Sequence, residues 1–210
     1  MNSKKYLKFL FTSSFLGIVF LFSANLKAQV IKTSKSTGNW AAITWNPQGN
    51  PTASNDVVIN QKVTIPSGTT VEVANLEIAK DGILIVEGTL EVNGNLVMSH
   101  NNSIFEMGSN AYVVVNGDFS ASNQVSISVS SYLIIRGNFT KTGSSGQGDL
   151  VVDNGNIYIF GPVDPNWTGF DTCGNYEGNT GAIENENCDY GTEKEYEENQ
   201  DKFPDELVDL

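Results

Sequence analysis

The chain contains few residues of the kinds that perform catalysis. His100, in the polar run SHNNS, is its single histidine. One histidine provides a candidate general base, but it leaves no second nitrogen for a histidine-based zinc site. A Ser-His-Asp triad has this histidine as its single candidate centre, and nothing in the sequence points to a nucleophile. We therefore interpret His100 as a residue of a surface loop.

Paired carboxylates are the remaining route to catalysis. Glycoside cleavage needs two carboxyl groups on either side of the scissile bond. Glu87 with Glu91, and Asp149 with Asp153, are the nearest such pairs in the sequence. Single carboxylates on strand faces are usually solvated surface groups, so we predict no catalytic residue. A carbohydrate-active enzyme, either a hydrolase or a lyase, is the alternative.

Two tyrosines are candidates for ligand binding. Tyr112 and Tyr132 each precede a recurrent glycine, Gly117 or Gly137, by five residues. Residues at the same place in a repeat become aligned when the repeats stack. Aligned aromatic rings on an outer face form a platform for sugar rings, and they also form a purely structural ladder. Both interpretations stay open at this point.

A weak calcium motif follows the last apolar run. Asp164, Asn166 and Thr168 precede Gly169 in the order that opens an EF-hand loop. Position twelve of that loop is Asn175 instead of glutamate, and no helical pattern flanks it. Weak calcium binding is thus the only cofactor prediction.

The first 28 residues have the order of a secretory signal peptide. Lysines precede an apolar stretch from Phe9 to Phe22, and Ala28 offers a cleavage point. That stretch is shorter than the ~20 residues needed to span a bilayer as a helix. We expect an exported chain, at the cell surface, outside the cell or in the periplasm. In that oxidising environment, Cys173 and Cys188 are expected to form a disulfide.

The net charge of the chain restricts the classes of partner that it can bind. Removal of residues 1–28 takes away four lysines, so 8 basic residues remain against 24 acidic ones, a net charge of −16. Such a chain repels nucleic acid and anionic lipid. A polysaccharide or an envelope protein is the expected partner, and we expect a monomer.

A repeat of about 22 residues organises the centre of the chain. Its markers are four glycines, of which the first three are followed by Asn or Asp and then Leu or Phe: Gly94, Gly117, Gly137 and Gly161. Short β-branched or aromatic runs lie between them, and no helical periodicity interrupts the pattern. A period of this size is typical of stacked repeats.

Two all-β architectures fit this repeat. In a parallel β-helix, or β-solenoid, of about four coils, each coil has three short strands that bend at the glycines. In an antiparallel β-sandwich, neighbouring runs pair as hairpins. Frequent Gly-Asn and Gly-Asp corners favour the solenoid, because glycine accepts positive φ. Stacked coils would align Asn95, Asp118 and Asn138 in a ladder.

The sequence divides into five segments. They are the signal peptide (1–28), an N-terminal cap with the first strands (29–70), the coils (71–163), a C-terminal cap with the disulfide loop (164–192) and an acidic tail (193–210). Trp40 and Trp45 are expected to cover the first coil, and Trp167 with Phe170 the last. The acidic tail is expected to be disordered.

Residues 38–163 resemble a known group of proteins. The similarity lies in Gly38-Asn-Trp40, Trp45, Pro51, Asp56-Val-Val-Ile59, Val63-Thr-Ile65-Pro-x-Gly68, Leu76-x-Ile78 and Gly88-x-Leu90. This pattern is similar to secreted right-handed parallel β-helix proteins of Bacteroidota and to the G8 domain. The resemblance implies the fold and an exported, often surface-associated protein. It assigns no catalytic residue. We expect a non-catalytic structural or adhesive protein, with an enzyme or a self-assembling scaffold as alternatives.

Overall fold

A computed structural model of the protein describes residues 28–122, 125–142, 149–152, 155–167 and 190–208. The described part consists mainly of strands that belong to three sheets. The predictions for Cys173, Cys188, Thr168, Phe170, Asp153 and the signal peptide concern residues outside these ranges, except for Ala28. Within the described ranges, no helix is both long and apolar enough to cross a membrane.

Each sheet collects every third strand along the repeat. Sheet 1 contains β1 (Ile31–Ser34), β3 (Trp45–Asn46), β4 (Asp56–Ile59), β7 (Asn75–Ile78), β10 (Leu96–Met98), β13 (Phe119–Ala121) and β16 (Phe139–Lys141). Sheet 2 contains β2 (Gly38–Asn39), β5 (Lys62–Ile65), β8 (Ile83–Val86), β11 (Ile104–Met107), β14 (Ser126–Val129) and β17 (Asp149–Val152). Sheet 3 contains β6 (Thr70–Val73), β9 (Thr89–Val92), β12 (Tyr112–Val115), β15 (Tyr132–Ile135) and β18 (Asn156–Ile159).

The chain is therefore a parallel β-solenoid of about five turns. Successive strands belong to sheets 1, 2 and 3 in rotation, and each pairs in parallel with its counterpart one turn away. The antiparallel sandwich is excluded, since the antiparallel pairing in these sheets is confined to β1 and β3. The regular turns begin at Asp56, before the expected boundary at residue 71, which accounts for the additional turn.

Strict alternation along each strand fills the core. In sheet 3, the inward residues at one register position are Val71, Leu90, Val113, Leu133 and Ile157. All five are buried, as are most inward positions of the other two sheets. Most inward residues thus rest on an apolar residue of the next turn, and apolar burial accumulates along the stack.

The repeat glycines are required by close approach between turns. A Cβ atom on Gly137 would lie 2.4 Å from Asp118 Oδ1 and 2.5 Å from the carbonyl oxygen of Gly117. Positive φ at glycine occurs instead at Gly38, Gly49 and Gly68 in the described part of the chain. The expectation that positive φ explains the repeat glycines was wrong, because the limiting contact is with the preceding turn.

Tryptophans cover the N-terminal end of the core, as predicted. The rings of Trp40 and Trp45 lie 4.8 Å apart between centroids, and both are buried. The indole N–H of Trp45 donates to the carbonyl oxygen of Trp40 over 3.1 Å. Lys32 points inward beside them, and its ammonium group donates to three backbone carbonyls of residues 47–49 at 2.9–3.1 Å.

The C-terminal end is closed by the segment that follows β18. Trp167 stacks on Phe139 with 4.7 Å between ring centroids and 8° between ring planes. The ammonium group of Lys141 lies 4.5 Å from the centroid of Trp167. Val163 continues sheet 1 by one bridge to Phe139. These contacts confirm that Trp167 covers the last turn.

The C-terminal segment forms helices and packs on the solenoid. Tyr190 and Gly191 lead into α1 (Glu193–Asn199), a 3₁₀ turn (Gln200–Lys202) and α2 (Asp205–Val208). We call residues 190–208 the clasp. The structure differs here from the expected disordered tail, since buried aromatic residues spaced among the acidic ones attach the segment to sheet 3.

Candidate functional site

The two candidate tyrosines are aligned on the outer face of sheet 3. Tyr112 and Tyr132 are register partners in β12 and β15, and their ring centroids lie 6.2 Å apart. Phe203 of the clasp packs edge-on against Tyr132 at 5.5 Å. The predicted alignment is confirmed. The clasp occupies part of this face, and sugar binding by the tyrosines stays a prediction.

The other chemical candidates are dispersed. His100 is exposed in the turn after β10, and its carbonyl oxygen accepts a hydrogen bond from Ser103 Oγ at 2.8 Å. Glu87 is exposed at the corner after β8, whereas Glu91 lies on the outer face of sheet 3. Asp149 begins β17.

A different carboxylate pair emerges from the stacking of turns. Glu91 in β9 is the register partner of Glu72 in β6. Each carboxylate accepts a hydrogen bond from an asparagine of the next turn, Asn93 for Glu72 at 2.9 Å and Asn116 for Glu91 at 3.0 Å. This pair could not be recognised in the sequence, because its members are nineteen positions apart.

Asp164 and Asn166 of the weak calcium motif lie in a turn. Asp164 Oδ1 accepts a hydrogen bond from the backbone N–H of Asn166 at 2.9 Å, and Oδ2 accepts one from the N–H of Lys141 at 3.3 Å. Across the described residues, no group of three or more acidic, histidine or cysteine side chains is arranged to hold a metal. Calcium binding stays a prediction.

A groove with a volume of about 530 Å³ lies on the outer face of sheet 1. It crosses four neighbouring strands of sheet 1, β1, β4, β7 and β10. At a spacing of ~4.8 Å between neighbouring strands, the groove extends over about 14 Å. Carboxylate, amide and hydroxyl groups alternate there with aliphatic side chains: Asp56, Asn75, Asn95, Glu77, Ser99, Val58 and Val97. None of the described lining residues is basic.

A hydrogen-bond ladder fixes one wall of this groove. Asn75 Nδ2 donates to Asp56 Oδ1 at 2.7 Å, and Asn75 Oδ1 accepts from the backbone N–H of Asn95 at 2.8 Å. Asn95 Oδ1 in turn accepts from the N–H of Asp118 at 2.8 Å. The ladder predicted for Asn95, Asp118 and Asn138 is therefore present, with side-chain oxygens bound to backbone N–H groups of the next turn.

The second wall combines acid, hydroxyl and aliphatic groups. Ser99 Oγ donates to Glu77 Oε1, and Val58 and Val97 occupy outward positions on either side of Glu77 in register. In the sequence these residues read only as solvent-facing positions of alternating strands. Their assembly into one groove depends on which turns are neighbours, so strand patterning could not reveal it.

Comparison with known protein families, characterised proteins and solved structures finds no match. Of the resemblance seen in the sequence, the strand pairing supports the fold alone, a parallel β-solenoid.

Proposed function

We propose that this protein is an exported, non-catalytic structural or adhesive protein of the cell envelope or exterior that binds a glycan in the groove of sheet 1. The groove itself carries the proposal. The secretory pattern of residues 1–28 and the resemblance of residues 38–163 to secreted right-handed β-helix proteins of Bacteroidota support the exported location. The rest of the molecule acts as a rigid frame for the groove.

The groove has the chemistry of a sugar site. Sugar hydroxyls both donate and accept hydrogen bonds, and the carboxylates and amides along the groove offer acceptors and donors at repeated spacing. Val58 and Val97 supply apolar surface for the faces of sugar rings. The acidic lining, and the net charge of −16 that remains without residues 1–28, favour an uncharged polysaccharide over an anionic one.

The test is retention of the purified full chain on insoluble neutral polysaccharides, with and without a calcium chelator. Val97→Glu places a further carboxylate in the groove and is expected to abolish retention. Ile85→Glu, at a half-buried outward position of sheet 2, is the matched control and is expected to bind normally. Retention lost through Tyr112→Ala instead would move the site to the tyrosines. Absence of retention on every polysaccharide would reject glycan binding.

A carbohydrate-active enzyme is the second candidate, favoured by the stacking of Glu72 on Glu91. Carboxyl groups of a retaining glycosidase lie about 5–5.5 Å apart, close to the spacing of neighbouring strands. Release of reducing ends by the wild-type chain, lost in Glu91→Gln, would establish this activity. The same assay without product formation supports the non-catalytic function.

End-to-end assembly into a scaffold receives less support. Trp40 and Trp45 cover one end of the core and Trp167 covers the other, so a second solenoid cannot stack there until these side chains move. Light scattering against protein concentration distinguishes open-ended polymers from small closed assemblies.

A further inference from the structure

The clasp is attached by a hydrophobic cluster that is separate from the core. On the solenoid side, the cluster contains outward residues of sheet 3, Val114, Ile134 and Tyr158. On the clasp side it contains Tyr196, Phe203 and Leu207. All six are at least 92% buried. We call the three residues of sheet 3 the docking face.

Aromatic contacts dominate this attachment. Tyr158 lies edge-on to both Tyr196 and Phe203, with ring centroids 5.6 and 5.4 Å apart. Gly191 also extends sheet 3 by one rung, because its N–H donates to Ile157 and its carbonyl accepts from Ile159, both at 2.9 Å. The clasp therefore fits this face specifically, with contacts that a detached clasp leaves exposed.

The docking face becomes an apolar strip when the clasp leaves. Glu72 and Glu91 occupy the same outward register position in the earlier turns, whereas the later turns have Val114, Ile134 and Tyr158 there. An attachment held by a few side chains opens at a lower free energy than the whole solenoid. An open molecule then exposes complementary apolar surfaces on both parts.

The connection between the two parts is long. Trp167 and Tyr190 are separated by 22 residues, a length of chain that spans about 75–80 Å when extended. A chain of this length is sufficient to bring the clasp to the docking face of a neighbouring molecule.

We propose that the clasp is exchanged between two copies of this chain, so that each clasp occupies the docking face of the other copy. The structure shows the clasp on the docking face of its own chain. A second copy offers an identical face, so exchange re-forms every contact of the closed monomer and costs little beyond association. It also leaves the groove of sheet 1 untouched, so the proposal is independent of glycan binding.

Two complementary variants of the full chain test the exchange. Ile134→Asp disables the docking face and keeps the clasp intact, whereas Phe203→Asp disables the clasp and keeps the face intact. Each variant alone is expected to remain monomeric by native mass spectrometry. Their mixture is expected to form a 1:1 heterodimer, since one functional clasp then meets one functional face.

The controls separate exchange from unspecific association. Ile85→Asp, on the outer face of sheet 2, replaces Ile134→Asp and is expected to form homodimers, with at most traces of heterodimer with Phe203→Asp, because each of its clasps finds a functional docking face on a copy of the same variant. Val114→Asp provides a second docking-face variant should Ile134→Asp fail the check of β-sheet content by circular dichroism. Monomers throughout, from well-folded docking-face variants mixed with Phe203→Asp, would overturn the proposal.

The two cysteines, Cys173 and Cys188, provide a second and independent test of the exchange. A disulfide between Cys173 and Cys188 would shorten the path from Trp167 to Tyr190 from 23 to about nine residue steps. Effective concentration falls roughly as the −3/2 power of linker length, so a Cys173→Ser/Cys188→Ser chain is expected to dimerise at about fourfold lower concentration than the oxidised wild type. The comparison requires a wild type that is shown to be oxidised. Dimerisation of the double-serine chain at the same or a higher concentration than this wild type would contradict exchange through this connection.

Discussion

At the scale of single residues, the corner of each turn is the most constrained part of the molecule. Gly94, Gly117, Gly137 and Gly161 bring successive backbones together, and the N–H of Gly137 donates to the carbonyl of Gly117 over 2.9 Å. The next residue then contributes its side-chain oxygen to the N–H one turn later, as Asp118 does for Asn138 at 2.7 Å. Glycine and Asn or Asp therefore act as a pair.

Substitution of a repeat glycine tests this account. Gly137→Ala is expected to destabilise the protein by about 1–3 kcal/mol, the usual range for overpacking, because its Cβ would overlap the preceding turn. Gly108→Ala is the matched control, since the nearest atom to its Cβ would be at 3.6 Å. Urea unfolding measures both, and equal losses of stability in the two variants would show that close approach is not the cause.

At the scale of elements, the clasp combines a helix start with an aromatic anchor. Thr192 and Glu195 form a capping box, in which Glu195 Oε2 accepts from the backbone N–H of Thr192 at 2.8 Å and from its hydroxyl group. Burial alone would raise the pKa of Glu195, but the hydrogen bonds from Thr192 outweigh it and lower the pKa below the ordinary value of 4.5. The ionised carboxylate therefore stabilises the start of α1.

This arrangement predicts that acid loosens the clasp. A carboxyl group with a lowered pKa contributes stability above its unfolded value, and that contribution is lost as the pH falls through the folded value. Lys194 is the other titratable group whose charge lowers the pKa of Glu195, whereas Tyr158, whose own pKa is raised by burial and by the charge of Glu195, stays neutral in this pH range. We expect the hydrogen-exchange protection factor of the Tyr196 amide to fall below pH 4.5 in the wild type and to lose this dependence in Glu195→Gln.

Glu198→Gln, at an exposed position of the same helix, is the control for that measurement and should behave as the wild type. The same acid dependence in Glu195→Gln as in the wild type would assign the effect to another group. Protection in β4 and β5, which lie in the first regular turn and outside sheet 3, should stay constant over this range, because the solenoid core does not depend on Glu195.

At the scale of the whole molecule, each turn is stabilised by its contacts with the turns directly before and after it. Each strand pairs with the strand before and after it in the stack, and the core residues repeat the same arrangement. The two ends are the exceptions, and both are covered by tryptophan. Damage at one end should consequently affect the nearest turns before the distant ones.

Trp45→Ala tests the role of the N-terminal cover. Removal of a buried tryptophan typically costs about 3–5 kcal/mol, and we expect lost hydrogen-exchange protection in β1 and β4 with full protection in β12 and β15. Ile31→Ala is the control, because Ile31 is 55% exposed. Uniform loss of protection along all turns would indicate that the solenoid unfolds as one cooperative unit.

The sequence by itself determined the repeat and therefore the fold. Three apolar runs per period, with glycine and Asn or Asp at the corner, admit few arrangements, and in alternating runs such as Val125–Val129 the pattern also specified which residues face inward. The two N-terminal tryptophans and Trp167 were assigned correctly, because bulky apolar residues beside turn-rich segments have an open core end to cover.

Only the tertiary structure decided which outer residues meet. Glu72 and Glu91, the walls of the groove on sheet 1, and the docking face under the clasp are all assembled from different turns. Strand alternation marks such residues merely as outward, since it contains no information about the turn above or below. The helical clasp was missed for a related reason: the average acidity of residues 193–210 concealed Tyr196, Phe203 and Leu207, whose burial depends on an apolar face that sheet 3 provides.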